Sequence, residues 1–291
     1  MVEFLQQVVD GVESGAIYAA LALALVLVHR STGLVNFAQG EIAMFSAYVT
    51  FAFYQMGMPI QFAALLGMAA SFAGGMAIER TLFRSEAARQ PLVAVVLMLG
   101  LFLGLNSLAG LIWSYQVQRV PSLFPEGLIR VGGTVFSYQM LGTLAILLAI
   151  CILLHLLFTY TPLGLKMRAA VSNAESCRLL GIPPGLMLGL GWGLAGALGC
   201  LAAVLVTPRL FLDPNIMQGV IIFAIAAATL GGLDSALGAI VAGIAIGIVE
   251  NLAGSYLVGS DLRIVVPLVL IIVVLTMRPQ GLFGKAYRAR V

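Results

Sequence analysis

A chain of 291 residues with 61% hydrophobic and only 9% charged side chains cannot cover a water-soluble surface, where charged residues normally supply about a quarter. Its mean hydropathy of +1.07 calls for an apolar solvent. The apolar residues come in continuous runs rather than short alternating segments, which excludes a β-barrel and leaves an all-α, polytopic membrane helix bundle. The net charge of +3 comes from 15 Lys and Arg at the ends of apolar runs, so it reads as a topology signal and not as a nucleic-acid surface. Cys151, Cys177 and Cys200 lack metal-ligand spacing and read as free thiols.

A spanning helix needs roughly 20 apolar residues. Candidates occur at 9–28, 39–55, 60–78, 91–113, 137–158, 186–206, 217–230, 235–252 and 264–277. Several are short and punctuated by glycine, as broken or re-entrant helices are, so eight to ten spans are expected. If all nine cross, one side receives Arg30, Arg80, Arg84, Arg89, Lys166, Arg168, Arg178, Arg278, Lys285, Arg288 and Arg290. The other receives Arg119, Arg130, Arg209 and Arg263. This bias places the N-terminus outside and the C-terminus in the cytoplasm. The N-terminal residues lack a basic n-region and flow into the first apolar run, so no cleaved signal peptide is expected.

In chain order, the first helix carries Gly11 and Gly15 at small-xxx-small spacing. Asn36, Gln39 and Glu41 then crowd together between Gly33 and Ala43. Two readings stay open for them, a structural or gating role inside the bundle and ordinary capping at the cytoplasmic boundary. Residues 79–90 form a short cytoplasmic linker and a second candidate contact surface. Asn106, in the fourth segment, is either an interhelical hydrogen-bonding group or a ligand contact. Residues 114–136 form the longest external loop, with enough Pro and Gly for compact turns. Gly185, Gly189 and Gly193 recur every four residues and are followed by Ala197, a smooth face for close helix packing that Gly243 and Gly247 repeat later. Arg209, Asp213 and Asn215 fall at the outer surface.

The longest strongly polar stretch is 161–184, TPLGLKMRAAVSNAESCRLLGIPP. Lys166, Arg168 and Arg178 make it basic, while Leu165, Ala169, Leu179 and Leu180 give it an apolar side. Gly181, Pro183 and Pro184 end it. It reads as a protruding cytoplasmic helix that either lies on anionic lipid or touches another protein. No enzyme signature is present: His29 and His155 are the only histidines, and Gly284-Lys285-Ala286 lacks the loop and hydroxyl of a nucleotide-binding Walker sequence. Energy from nucleotide therefore has to come from another chain. The middles of most segments are nearly bare of ionisable groups, which disfavours an ion-coupled carrier, while a channel or a purely structural subunit stays open.

Four stretches carry a family resemblance. They are Gly33-Leu-Val-Asn-Phe-Ala-Gln-Gly-Glu41, the basic segment with Asn173-Ala-Glu175 leading to Leu180-Gly-Ile182, Leu230-Gly-Gly-Leu-Asp-Ser235, and Arg278-Pro-Gln-Gly-Leu-Phe283. Together and in order they resemble the LivH-type permeases of bacterial branched-chain amino acid ABC transporters, a family that also includes urea and amide permeases. The similarity runs nearly end to end. Gln39 stands where the family commonly has His, and Cys177 where it usually has Ala.

The resemblance implies a single transmembrane permease domain, 1–291, with a cytoplasmic coupling segment at 161–184, in the bacterial inner membrane. Its implied partners are a LivM-type homologous permease, two LivG/LivF-type ATPase subunits that bind the ATP and Mg, a periplasmic substrate-binding protein and the lipid bilayer. No cofactor is expected in this chain. Lys166, Arg168, Asn173, Glu175, Arg178 and Gly181 would carry the ATPase contact, the charges fixing register and the glycine allowing a sharp turn. Asn36, Gln39, Glu41 and Asn106 are the candidates for the translocation path. The alternatives are a urea or short-amide permease and an ion-coupled carrier or channel subunit.

Overall fold

Long apolar runs that must satisfy their own backbone hydrogen bonds fold as helices. The computed structural model describes residues 2–85, 90–257, 259, 262–278 and 280–284. Arg89, Lys285, Arg288 and Arg290, four of the expected topology charges, lie outside the described residues. The helices are α1 Val2–Thr32, α2 Gln39–Gln55, α3 Ile60–Ile78, α4 Pro91–Trp113, α5 Tyr138–Tyr160, α6 Pro162–Ser172, α7 Ala174–Leu179, α8 Pro184–Leu210, α9 Ile216–Gly231, α10 Ala236–Tyr256 and α11 Val265–Met277. A π-helical turn, Glu79–Phe83, extends α3.

Among the described residues, six helices are long and apolar enough to cross a membrane: α1, α3 with its π turn, α4, α5, α8 and α10. The protein is thus a multi-pass membrane helix bundle. The other three expected spans are shorter, α2 with 17 residues, α9 with 16 and α11 with 13. At 1.5 Å per residue they reach roughly 20 to 26 Å, less than the ~30 Å hydrocarbon core. Within residues 114–136 the expected turns include a two-stranded antiparallel hairpin, β1 Leu128–Val131 and β2 Thr134–Ser137, with Val131 opposite Thr134. Gly132 and Gly133, at φ +59° and +89°, supply the left-handed turn that joins the strands.

The chain divides into two compact units. Residues 1–26, 124–151 and 222–291 form the first. There α1 and α10 pack through their glycines: a Cβ at Gly11 would lie 2.7 Å from Ile248 Cα, and one at Gly243 2.8 Å from Ala19 Cα. Gln6 ties α1 to the hairpin by accepting the Val135 N–H at 2.8 Å. The motif around Gly232 meets the one around Gly281, because the Leu282 N–H donates to the Leu230 carbonyl at 2.7 Å and the Phe283 N–H to Gly231 at 3.3 Å.

Residues 27–123 and 152–221 form the second unit. Its centre is a three-helix contact of α2, α3 and α8, in which small residues let backbones approach. A Cβ on Gly196 would lie 2.6 Å from the Ser71 carbonyl oxygen, one on Gly193 2.9 Å from that of Phe72, and one on Gly189 3.2 Å from Glu79 Oε2. Hydroxyls seal the contact: Ser46 and Ser71 share a 2.7 Å hydrogen bond, and Ser71 Oγ donates to the Gly196 carbonyl at 2.8 Å.

Candidate functional site

The entry to α2 is fixed by side-chain amides. After Gly33 turns at φ +74°, Asn36 Oδ1 accepts the Ala38 N–H at 3.0 Å, a local turn of the Asx type. Asn36 Nδ2 donates to Gln39 Oε1 at 3.1 Å, and Gln39 Nε2 donates to the Ala195 carbonyl of α8 at 3.0 Å. Gly199 makes room for that amide, since a Cβ there would sit 2.7 Å from Gln39 Nε2. Both side chains are buried and hydrogen-bonded within the unit. Ala195 lies 11 residues beyond Pro184 in the 27-residue α8, roughly 16 Å along its axis. The start of α2 therefore sits at the depth of the middle of α8, not level with its end.

Seen down α2, Gln39, Ser46 and Thr50 face α3 and α8, whereas Glu41, Phe45 and Tyr48 turn toward α4. Glu41 is 1% exposed. Asn106 of α4 reaches it: the Asn106 Nδ2 donates to the Pro214 carbonyl at 2.8 Å and to Glu41 Oε2 at 3.3 Å, with Asn215 Oδ1 at 3.4 Å. Asp213 Oδ1 accepts the Asn215 N–H at 2.6 Å, and Gln218 Nε2 donates to Asn215 Oδ1 at 2.9 Å, so this turn closes the start of α9. Gly40 packs beside Met217 and Ile221 of α9. The beginnings of two short helices thus meet around one asparagine and one buried carboxylate. Beyond them Tyr48 stacks on Trp113 at 4.9 Å, and its buried hydroxyl has no hydrogen-bond partner among the described residues. The pattern is that of broken helices, whose exposed N–H ends and nearby polar side chains form polar sites inside membranes.

The 161–184 segment is two helices rather than one. Thr161 caps α6 by accepting the Gly164 N–H at 3.1 Å. Asn173, extended at φ −153°, breaks the helix and caps α7 by accepting the Ser176 N–H at 2.8 Å. α7 ends in a Schellman turn, with the Ile182 N–H on the Cys177 carbonyl at 2.9 Å, the Gly181 N–H on Arg178 at 3.1 Å, and Gly181 at φ +73°. Gly164, Met167, Ala170 and Cys177 are the buried side. Leu179 and Leu180, expected on the apolar side, are 86% and 77% exposed, and Leu165, Lys166, Arg168, Glu175 and Arg178 also face outward. Among the described residues, no group of His, Cys, Asp and Glu could hold a metal ion.

Comparison with known proteins places this architecture. A family described as "Branched-chain amino acid transport system / permease component" matches residues 7–275. The chain belongs to that family. This permease is 31% identical over 299 residues to the high-affinity branched-chain amino acid transport system permease protein LivH of Escherichia coli (strain K12), covering 97% of this chain and 96% of that protein. It is 29% identical over 296 residues to the corresponding protein BraD of Pseudomonas aeruginosa, with the same coverage, 97% and 96%. Among solved structures, a chain of PsaBC from Streptococcus pneumoniae in complex with Fab matches with a TM-score of 0.51 at 12% identity. That match covers 95% of this chain and 92% of the other, a likeness of fold. Permeases of this family are membrane transport components and not enzymes.

Some residues of this permease's core carry no signal in the sequence. Ser46 and Thr50 fall on the face of α2 that carries Gln39, but Ser71 and Tyr48 are single polar groups in apolar helices, and nothing in the sequence pairs these groups across α2, α3, α8 and α4. The split of 161–184 into two helices was hidden as well, because the break at Asn173 resets the helical phase. The one available signal is Asn173 itself, followed by Glu175, a short-helix start inside a basic run.

Proposed function

We propose that this chain is a pore-forming permease subunit of an ABC importer that carries branched-chain amino acids across the bacterial inner membrane. ATP is bound with Mg and hydrolysed by two LivG/LivF-type partner subunits, a LivM-type permease completes the pore, and a periplasmic binding protein delivers the solute. The observation that carries this reading is the elbow of α6 and α7. It displays two exposed leucines, Leu179 and Leu180, beside Glu175 and Arg178, on a rigidly capped turn. Exposed leucines ringed by charge fit a protein groove better than water. Lys166 and Arg168 on α6 and the caps Asn173 and Gly181 serve the same contact, and closure of the ATPases is transmitted through it.

Nine spans fit this role, within the eight to ten expected, with α2, α9 and α11 as short or broken crossings and both the elbow and the C-terminus cytoplasmic. The solute passes near the α2 and α9 starts. Asn36 and Gln39 hold the α2 entry in place, while Glu41 and Asn106 supply the polar groups that meet a zwitterion. The test is uptake of labelled leucine into vesicles that contain the complete transporter. Uptake is expected to require ATP and the ATPase subunits. Uptake that persists without them identifies a carrier or channel, and urea transport without leucine transport overturns the substrate assignment.

A further inference from the structure

The π turn after α3 builds a second feature. In a π-helix residues five apart share a face, and Arg84 Nη2 accordingly donates to Glu79 Oε2 at 3.4 Å, five positions back. In α-helical register the two would point about 140° apart. The same turn stacks Phe83 on Trp192 of α8, with ring centroids 4.6 Å apart. Between α3, the π turn, α7 and the start of α8 lies a cavity of about 880 Å³. Arg80, Arg84 and Arg178 line one part of it, and Met76, Leu188 and Trp192 are among the residues lining the rest. Glu79, 2% exposed, is its one carboxylate among the described lining residues, so the cavity keeps an excess of two positive charges.

We propose that this cavity binds the headgroup phosphate of an anionic phospholipid. Arg80 and Arg178 contact the phosphate directly, and Glu79 orients Arg84 toward it. Two features favour a lipid over an acidic segment of a protein partner. The cationic part adjoins side chains of two apolar helices, α3 and α8, so the pocket is amphipathic in the way a headgroup with its acyl chains is. Basic pockets between helices at the cytoplasmic side are also a recurrent mode of anionic lipid binding, and guanidinium groups pair with phosphate bidentately. Arg178 belongs to the α7 elbow, so a bound lipid bridges α7 to α3 and holds the elbow against the membrane helices. This inference rests on the cytoplasmic placement of the elbow proposed above and stands apart from the identity of the transported solute.

The test is native mass spectrometry of the full-length chain, delipidated in detergent and titrated with dioleoylphosphatidylglycerol or dioleoylphosphatidylcholine. The wild type is expected to retain the anionic lipid preferentially. R80Q/R178Q changes two exposed side chains and leaves the Glu79–Arg84 pair intact. It is expected to weaken retention about fivefold per arginine, roughly 25-fold for the pair. A77W, which fills the cavity from its lining and keeps every charge, is expected to weaken it as well. Equal retention of the two lipids, or retention unchanged in both variants, overturns the proposal. Inorganic phosphate occupying the site as tightly as the lipid assigns it to a free anion instead. Loss of ATPase subunits from the assembled R80Q transporter with lipid retention unchanged assigns Arg80 to a protein contact and overturns the proposal.

Discussion

Asn106 joins three segments through one amide, since its two hydrogens reach the Pro214 carbonyl and Glu41 and its neighbour Asn215 faces the same nitrogen. Asn106→Leu keeps the size and removes both donors, stranding a buried carboxylate and a backbone carbonyl. A loss of about 1–3 kcal/mol is expected, read as a lower midpoint of thermal unfolding in detergent. In the assembled transporter, Glu41→Gln is expected to lower leucine uptake while ATP hydrolysis by the partner subunits continues. Unchanged uptake removes Glu41 from the solute path. The glycines make a sharper contrast. Gly196→Ala drives a methyl to 2.6 Å from the Ser71 carbonyl oxygen, whereas a methyl at Gly74 meets nothing within 4 Å. The first substitution should cost about 1–3 kcal/mol by overpacking, and Gly74→Ala should be neutral or slightly stabilising. Equal stability of the two variants would remove close α3–α8 packing as the reason for Gly196.

At the level of elements, helix ends were legible where a rigid residue sets them. Pro59 caps α3 and Pro91 opens α4, the starts expected at 60 and 91, whereas Pro184, read as an end of the polar stretch, opens α8 two residues before the expected 186. Depth was not legible, because hydropathy measures how apolar a run is and not where along a neighbour it begins. The Asn36–Glu41 cluster reads equally well as a boundary cap or an interior junction until Gln39 is seen bonded to Ala195. The division of the elbow was not legible for a related reason: a single helix over 161–184 needs one 100° rotation per residue throughout, and at Asn173 the backbone is extended. That break yields a prediction. Leu179→Ala with Leu180→Ala should weaken association of the ATPase subunits by an order of magnitude or more, as loss of apolar anchors at an interface does, with the permease itself as stable as before. Gly181→Val forces a β-branched residue to φ +73° and should disorder the Schellman turn, so that ATPase activity no longer responds to substrate-loaded binding protein. Normal association and normal coupling in both variants would discard the elbow as the point of contact.

For the whole molecule the decisive quantity is how many helices cross, because each added crossing exchanges the sides of everything before it. Charge bias sums over all loops and cannot resolve this, whereas short helices such as α2 and α9 can cross the core only if the bilayer thins, or the backbone that flanks them is buried in protein. The cysteines provide a clean background, since Cys151, Cys177 and Cys200 are all buried and should resist a membrane-impermeant maleimide in the native chain. Single added cysteines then report sidedness in oriented vesicles. Gln116 and Lys166 are both exposed and are separated by α5, a helix long enough to cross, so Gln116→Cys should label from outside and Lys166→Cys from the cytoplasm. With α2 crossing, Glu3→Cys labels from the same side as Gln116→Cys; with α2 confined to one leaflet it labels from the other. With α9 crossing, Asp234→Cys labels with Lys166→Cys, and otherwise it moves outside. Outside, outside, cytoplasm and cytoplasm for residues 3, 116, 166 and 234 is the expected pattern. A cytoplasmic residue 3 or an external residue 234 removes a crossing and refutes the nine-span arrangement at that helix.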